Sequence, residues 1–526
     1  MCYPIDLSGI KEIGVTQWLE NYYIPIKGKV FQDVHTAVLN SYVTHLGRCN
    51  NKILYWLMIA NLRVAYKISV EIFEFLRLMR LKEDGFDYVM GKRKEDITDL
   101  LSSFDFSSLY PKELKATLDN KTVYSFQERA TNVLRLIKYN SHHIYRGALL
   151  RNIRKPVFFT GYMRQGEVVE YCKWKEIYPI QLPPLLFTKS SSKGNHCSSH
   201  ITEVYKFINE IIISLGKEFS MLSNSFFDKL SYTLCENLKY SLICFLQNLA
   251  VFERYKPRNL LSNSLGYLPI RLFSAAWRCA GGDITGFTHG NSYTHSYSPY
   301  LIFILSLVSR YVVNSEGQKK ILSEAVKDFS YLPGTQEIVN LPRSRHLTLF
   351  NKLQKDNPVK KIKNVVVVGF PKFDFYGAWL PEYHLFSQLH LELKLLEAVK
   401  AAGYYTIYKP HPMTHKDVEC LFEGYVDEIE CEAFEDMYKK ADCLLLPNPH
   451  STTFGFSLLT NKPMVLVNTK GYIWFPEVFE LIKKRCSVVD AEPVDGKINF
   501  DSKSLVDAIE SSLNNINYDV LYECAF

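Results

Sequence analysis

The sequence predicts an α/β protein whose parallel sheets fall into two halves, and three observations carry that expectation. Short unbroken apolar runs, Asn364 to Val368 (NVVVV), Cys443 to Leu446 and Met464 to Asn468, read as strands buried on both faces, and each leads into a polar turn or a helix-spaced stretch. Earlier in the chain Val157 to Thr160, Asp283 to Thr288 and Tyr311 to Val313 repeat the pattern. A length of 526 residues with 47% hydrophobic residues is enough to bury large cores, and favours two domains over one.

Taken in order, Ile53 to Arg80 is apolar at helical spacing, with Lys67, Arg77 and Arg80 on the opposite face, and Phe86 to Met90 reads as a short strand. Arg129 to Tyr145 reads as helix, and Gly161 turns the chain after Val157 to Thr160. The stretch from Leu182 to His200 is a Ser-rich surface loop by composition. His196, Cys197 and His200 within it lack the distant partner that paired zinc spacing requires, so no metal is expected. Thr202 to Phe252 is largely helical, and Pro269 to Ala280 is a helix ended by Gly281 and Gly282. The strand 283–288 runs into His289, Gly290 and Asn291, the helix Ser298 to Ser309 follows, and after Tyr311 to Val313 comes the helix Gln318 to Val326. Arg343 to Pro358 is basic and polar and reads as an interdomain linker. Gly369 stands where the glycine of a nucleotide-binding half belongs, but a Gly-x-Gly-x-x-Gly fingerprint is absent, which argues against a dinucleotide cofactor. Leu385 to Ala402 is a helix, and Ser504 to Leu513 with the tail Tyr518 to Phe526 is expected to pack back onto the first half.

Charge and cysteine usage narrow the function. A formal net charge of +7 is small for this length, and no Lys/Arg block resembles a nucleic-acid arm. A peripheral contact with an anionic membrane surface is the most it supports. The 12 cysteines are scattered without a Cys-x-x-Cys pair, as in reduced cytoplasmic proteins. No signal peptide is visible, and the most apolar runs, Leu54 to Ala60 and Tyr300 to Val308, fall short of the ~20 residues that span a bilayer.

The chemistry concentrates between Tyr404 and Asn468. The strand there ends in Lys409-Pro410-His411-Pro412, where two prolines stiffen the turn that carries the imidazole. After Cys443 to Leu446 the chain opens a helix at Ser451, Thr452 and Thr453, exposing backbone N–H groups and the positive end of a helix dipole. Such a terminus takes a phosphate, with His411 and Lys409 adding a donor and a charge. Each motif alone also reads as a strand-ending turn or a plain N-cap. Two at consecutive tips of one sheet favour the anion site. Glu432, Glu435, Asp436 and Asp442 between them read as helix-solvating acids without a catalytic role. In the first half His289, beside Gly290 at a strand tip, suits proton transfer at neutral pH, with a hydrogen-bonded turn histidine as the alternative.

The residues FTHGNS (287–292), Lys409-Pro410-His411-Pro412 and PHSTTFGFSLLTNKPMVLVN (449–468) together resemble bacterial surface-polysaccharide transferases of the GT-B architecture. More narrowly, they resemble the group with an HP motif that includes capsular and O-antigen Kdo transferases and polysialyltransferases. CDP-glycerol glycerophosphotransferases are related. The resemblance covers roughly residues 265–470. It implies two Rossmann-like domains facing across a cleft, with extra N-terminal helices. His411 would contact the donor phosphate, Ser451 and Thr452 would occupy the phosphate-binding helix start, and His289 would be a base or acceptor-side group. Asn448 and Gly455 stand where the glycerophosphotransferase pattern has acids, which favours a sugar donor.

The expected division is an acceptor-side domain at 1–345, a nucleotide-sugar domain at 346–505, and a tail at 506–526. The expected activity is metal-independent transfer of a sugar onto a bacterial glycan or lipid-linked glycan, from a CMP-activated ulosonic acid such as Kdo or a sialic-type sugar. No cofactor is expected. His289 and His411 would be catalytic; Lys409, His411 and Ser451 to Thr453 would bind the nucleotide, and Gly290 and Asn291 would face the acceptor. The alternatives are a polyol-phosphate transferase, a nucleotide-sugar epimerase and a noncatalytic glycan-binding protein.

Overall fold

The computed structural model describes residues 2–106, 157–181, 197–288, 296–328, 336–370, 385–412, 420–449, 451–494 and 497–524, apart from breaks of one to four residues. The expected helix at Arg129 to Tyr145 lies outside these, as do most of the Ser-rich loop and His196.

The chain begins with β1 (Cys2–Pro4), α1 (Leu7–Ile13) and α2 (Val15–Asn21). The long helix α3 (Gly28–Gly47) follows. The single helix expected over Ile53 to Arg80 is two, α4 (Lys52–Ala60) and α5 (Arg63–Glu83), meeting at 54°. The bend has a cause: the buried Arg271 guanidinium donates to the Ile59 and Ala60 carbonyls at 2.7 Å, taking the last acceptors of α4 away from a continuing ladder. Among the described residues no single helix is long and apolar enough to cross a membrane. β2 (Asp87–Met90) and β3 (Arg93–Glu95) complete a small sheet with β1.

The first large sheet uses β4 (Val157–Thr160), β5 (Ile180–Gln181), β6 (Asn259–Ser262), β7 (Asp283–Phe287), β8 (Arg310–Val313) and β9 (Glu337–Asn340) in the order β5-β4-β6-β7-β8-β9, all parallel. One face packs on a core shared with α3 to α5 and with the helices α6 (Cys197–Glu218), α7 (Asn224–Tyr255) and α8 (Leu268–Cys279). Cys197 to His200 therefore open a helix and are not loop, because the apolar repeat of α6 starts immediately after them. The strands β6 and β9 were not anticipated, being too short to show periodicity beside long helical runs. After β8 comes α9 (Glu316–Ala325), and the expected linker Arg343 to Pro358 contains a helix, α10 (Arg345–Leu353), because Phe350 and Leu353 are buried against the second half.

The second sheet runs β12 (Glu428–Ile429), β11 (Tyr405–Lys409), β10 (Asn364–Val368), β13 (Cys443–Leu446), β14 (Met464–Thr469), β15 (Ser487–Val494), β16 (Lys497–Asn499), parallel except for the last pair. Its helices are α11 (Leu385–Ala401), α12 (Phe434–Met437), α13 (Thr452–Leu459), α14 (Pro476–Arg485), α15 (Ser502–Ser511) and α16 (Asp519–Cys524). Val365 and Val367 face a core with α11 while Val366 and Val368 face the one with α13, so the NVVVV run is buried on both sides, as its composition requires. The expected α/β class with two parallel, Rossmann-like sheets is present.

Two segments leave the half to which sequence order assigns them. Tyr3, Ile10, Trp18, Leu19 and Tyr22, expected in the acceptor-side domain, share a core with β10, α11 and β14 of the second sheet. At the other end, α16 touches both halves: Val520, Leu521 and Cys524 are buried, and Ser315 Oγ donates to the Cys524 carbonyl at 2.8 Å.

Candidate functional site

The second sheet reverses its winding between β10 and β13, since β11 lies beyond β10 on one side and β14 beyond β13 on the other. Ligands of open parallel sheets sit above the carboxyl ends of strands at such a reversal. The tips carrying His411 and Ser451 are not neighbours, as sequence order suggested; β10 runs between them. Val368 pairs with Lys409, and Val367 pairs with Leu445, so the two tips stand two strand spacings apart, ~10 Å.

Ser451 is the N-cap of α13, with extended backbone (φ −79°, ψ 146°), and its Oγ accepts from the Phe454 N–H at 3.1 Å. That bond satisfies one of the first-turn donors and leaves the Thr452 and Thr453 amides without an intrahelical acceptor. Thr452 is exposed and Thr453 half-buried. The other end of α13 is fixed by Arg485, a fully buried guanidinium that donates to the carbonyls of Leu458, Thr460 (2.7 Å) and Lys462 (3.0 Å). A cation at the carboxyl end reinforces the dipole whose positive end is at Ser451. Sequence reading missed Arg485 because it closes a Lys-Lys-Arg run on α14 that looks solvated.

Lys409 and Ile407 share a face of β11, and Ile407 belongs to the α13 side of the sheet. Lys409 is thus on the same side as the helix start, buried at 4% exposure, with its Nζ donating to the Pro410 carbonyl at 2.8 Å. Burial pushes its pKa down, against Cys431, Glu430 and Glu435, which pull it up. Glu430 is itself paired with Lys440. His411 follows, half-buried, at the end of β11.

A cavity of about 620 Å³ opens beside α13, lined by Thr452, Gly455 and Phe456, by Glu435 and Asp436 of α12, by His346 and Lys352 of α10, and by Glu167 from the first half. Its volume suits a small-molecule ligand. Glu435 and Asp436, read as solvating acids, therefore border the site, whereas Asp442 accepts from the Lys363 and Asn364 amides and only fastens β10.

Gly369 has a packing reason. A Cβ there would collide with the Tyr408 hydroxyl, which donates to Glu392 at 2.7 Å. Glu392, fully buried on α11, also accepts from the Phe370 N–H at 3.2 Å and from Gln388 at 3.1 Å. The first amide past β10 after Gly369 is therefore held by a carboxylate, unlike a glycine turn that offers its amides to a phosphate.

His289, Gly290 and Asn291 lie outside the described residues. Beyond them, Ser296 forms an isolated antiparallel bridge with Trp474 of the second half. The Trp474 ring lies 6.5 Å from that of Phe454 in the first turn of α13, and its indole N–H donates to Asn468 at 3.0 Å. Trp474 therefore links Ser296 to the first turn of α13. Nothing in the spacing of GYIWFP marked it; a bridge between residues 178 apart is visible only in three dimensions. Among the described residues no group of three or more His, Cys, Asp or Glu is arranged to hold a metal ion.

No family model matches the chain, and no curated protein matches its sequence. Among solved structures it is similar to a UDP-N-acetylglucosamine 2-epimerase from Rickettsia bellii, at 13% identity over 69% of this chain and 88% of that one, with a TM-score of 0.33. It is similar to a glycosyltransferase from Rickettsia africae ESF-5, at 14% identity over 70% and 91%, with a TM-score of 0.35. It is also similar to Os79 from O. sativa, solved with UDP and deoxynivalenol-3-glucoside, at 11% identity over 70% and 93%, with a TM-score of 0.36. At these values the likenesses carry no statement about ligand or reaction.

Proposed function

We propose that this chain is a metal-independent glycosyltransferase of the GT-B type, moving a sugar from a nucleotide donor onto a glycan or lipid-linked glycan across the cleft between its halves. The nucleotide lies at the second sheet, its phosphate at the amides of Thr452 and Thr453, and its nucleoside in the cavity beside α13. Ser451 shapes the helix start. Lys409 and His411 offset the charge that develops on the departing phosphate. His289 takes the acceptor proton. The donor is a CMP-linked ulosonic acid of the Kdo or sialic type, following the HP-motif resemblance, and the work is done in the cytoplasm at the inner face of the membrane.

The observation that supports this reading is the Ser296–Trp474 bridge together with the Trp474–Phe454 contact, which set Ser296 of the first half near the start of α13. The test is a thermal-shift panel of CMP, CDP, UDP, GDP and dTDP on the wild type and His411→Ala. CMP or CDP is expected to raise the wild-type Tm most, with the shift reduced in the variant. If no nucleotide stabilises the wild type, the transferase reading fails; a UDP preference removes the CMP-sugar assignment and leaves the transfer chemistry. Donor turnover without any acceptor and without release of nucleotide would identify an epimerase instead.

A further inference from the structure

The amino edge of the second sheet, opposite the tips that carry Lys409 and Ser451, is basic. The segment 352–363, which carries the chain into β10, reads KLQKDNPVKKIK, five lysines against one aspartate and no arginine. Lys363 directly precedes β10, and its carbonyl accepts from the Tyr405 N–H at the foot of β11 at 2.9 Å. On the other side of β10, Asn364 Nδ2 donates to the Lys440 carbonyl at 3.1 Å, and Lys462, ahead of β14, donates through Nζ to the Lys439 carbonyl at 3.3 Å. Lys439 pairs with Asp356 at 3.7 Å. The feet of β11, β10, β13 and β14, neighbours in the sheet, thus stand together with the segment that enters it.

The carboxylates of this edge are engaged. Asp442 accepts from the Lys363 and Asn364 amides, and Asp427 accepts from the Thr406 amide at 2.8 Å. Asp356 accepts from the Tyr438 hydroxyl besides pairing with Lys439, while Glu428 and Glu430 both pair with Lys440. Lys355, Lys360, Lys361 and Lys363 are exposed, and none of the four has a carboxylate partner among the described residues. Like charges crowded into one short segment repel each other, and an anionic surface laid against them relieves that repulsion.

The residue types indicate what kind of surface. Lysine is a point charge on a flexible stem and lacks the rigid fork with which arginine reads a single planar anion. Beside Lys363, Tyr405 is 45% exposed, an aromatic ring with a polar tip of the kind that settles at the headgroup level of a bilayer. Mobile cations around an interfacial aromatic suit a fluid anionic layer better than a partner of fixed shape.

We infer that the amino edge of the second sheet is the docking surface for the anionic headgroups of a bilayer, held by Lys355, Lys360, Lys361 and Lys363 with Tyr405 at the interface. The five residues of β10 span ~16 Å, so a chain resting on this edge holds the start of α13 one strand length above the headgroups. The acceptor must reach that height: it is a glycan already several sugars long on its lipid, and not a sugar joined directly to the headgroup. That consequence rests on the transferase reading; the docking surface does not.

The test is co-sedimentation of the full chain with vesicles of phosphatidylcholine alone and of equal parts phosphatidylcholine and phosphatidylglycerol. The wild type is expected to bind the mixed vesicles, more weakly as salt rises, and not the neutral ones. A lysine near such a surface contributes a factor of ~5. Lys355→Gln, Lys360→Gln, Lys361→Gln and Lys363→Gln together are therefore expected to weaken binding at least ~50-fold. Lys360→Gln with Lys361→Gln, expected to weaken it ~10-fold or more, decides the question if the quadruple variant does not fold. Replacing Lys82, Lys206, Lys217 and Lys320, exposed lysines of the first half, by glutamine removes the same net charge and is expected to change binding less than ~3-fold. No binding of the wild type to mixed vesicles, or equal loss in the two quadruple variants, overturns the proposal. So does binding of soluble polyglutamate that matches vesicle binding and is lost with the same four lysines, which makes the partner a soluble polyanion. The nucleotide thermal shift, expected to be unchanged in the first quadruple variant, separates the two readings. Vesicle binding that depends on these lysines in a chain without any nucleotide response leaves the surface standing and removes the transferase.

Discussion

At its carboxyl edge the second sheet presents a buried lysine and a helix N-terminus backed by a buried arginine, whereas the first presents two buried hydroxyls and a buried amide without hydrogen-bond partners among the described residues. Both edges lie at or near a winding reversal of a parallel sheet, so topology alone treats them alike. Side-chain chemistry separates them: one edge carries a buried cation and a helix N-terminus, the other neutral hydroxyls and an amide.

The largest way to break this contrast is to remove the support of the charged edge. Arg485→Met leaves three buried carbonyls at the end of α13 without a donor and is expected to cost ~3–5 kcal/mol, read as a fall in the guanidinium chloride midpoint of the second half. A variant as stable as the wild type would show that the arginine does not anchor that helix. Next in size is Lys409→Met, expected to weaken nucleotide binding ~10-fold or more by calorimetry and to flatten its salt dependence. Unchanged affinity and salt dependence would remove Lys409 from the phosphate site.

A third prediction concerns the strap that ties the N-terminus to the second half. His390 on α11 stacks on Tyr22 at 4.5 Å and meets Trp18 edge-on, and burial, helped by Lys394 and Lys497, pushes its pKa down to about 3. The imidazole stays neutral when folded but takes a proton when unfolded below its ordinary value of ~6.5. Its contribution is therefore complete above that pH and is lost progressively toward pH 3. His35 in the first core, pushed by burial to about 4, acts with the same sign. His390→Phe is expected to flatten the fall of Tm between pH 6.5 and 4.5 and to leave the part due to His35; a curve parallel to the wild type would rule out His390 as its source. The smallest effect expected is from Ser451→Ala, ~1 kcal/mol of stability from the lost N-cap, with nucleotide affinity reduced only through fraying of the first turn, as monitored by hydrogen exchange.

Much of the second half was legible because its strands are continuous apolar runs, and both Cys443–Leu446 and the N-cap at Ser451 fell where the pattern put them. The first half was less legible. β6 has only four residues, and its Ser262 looks like any strand-ending polar residue until its register with Thr160 is known.

The sequence by itself determined the α/β class, the parallel strands of the second sheet and the helix start at Ser451, since these follow from local periodicity and capping chemistry. Strand order was decided only by the tertiary structure. It separates His411 from Ser451 by β10, sets Thr160 beside Ser262, seats Arg485 under α13 and joins Ser296 to Trp474. The physical reason is that hydrophobic patterning specifies which face of an element is buried but not which neighbour buries it. Contacts between residues far apart in the chain are fixed by how the whole core closes.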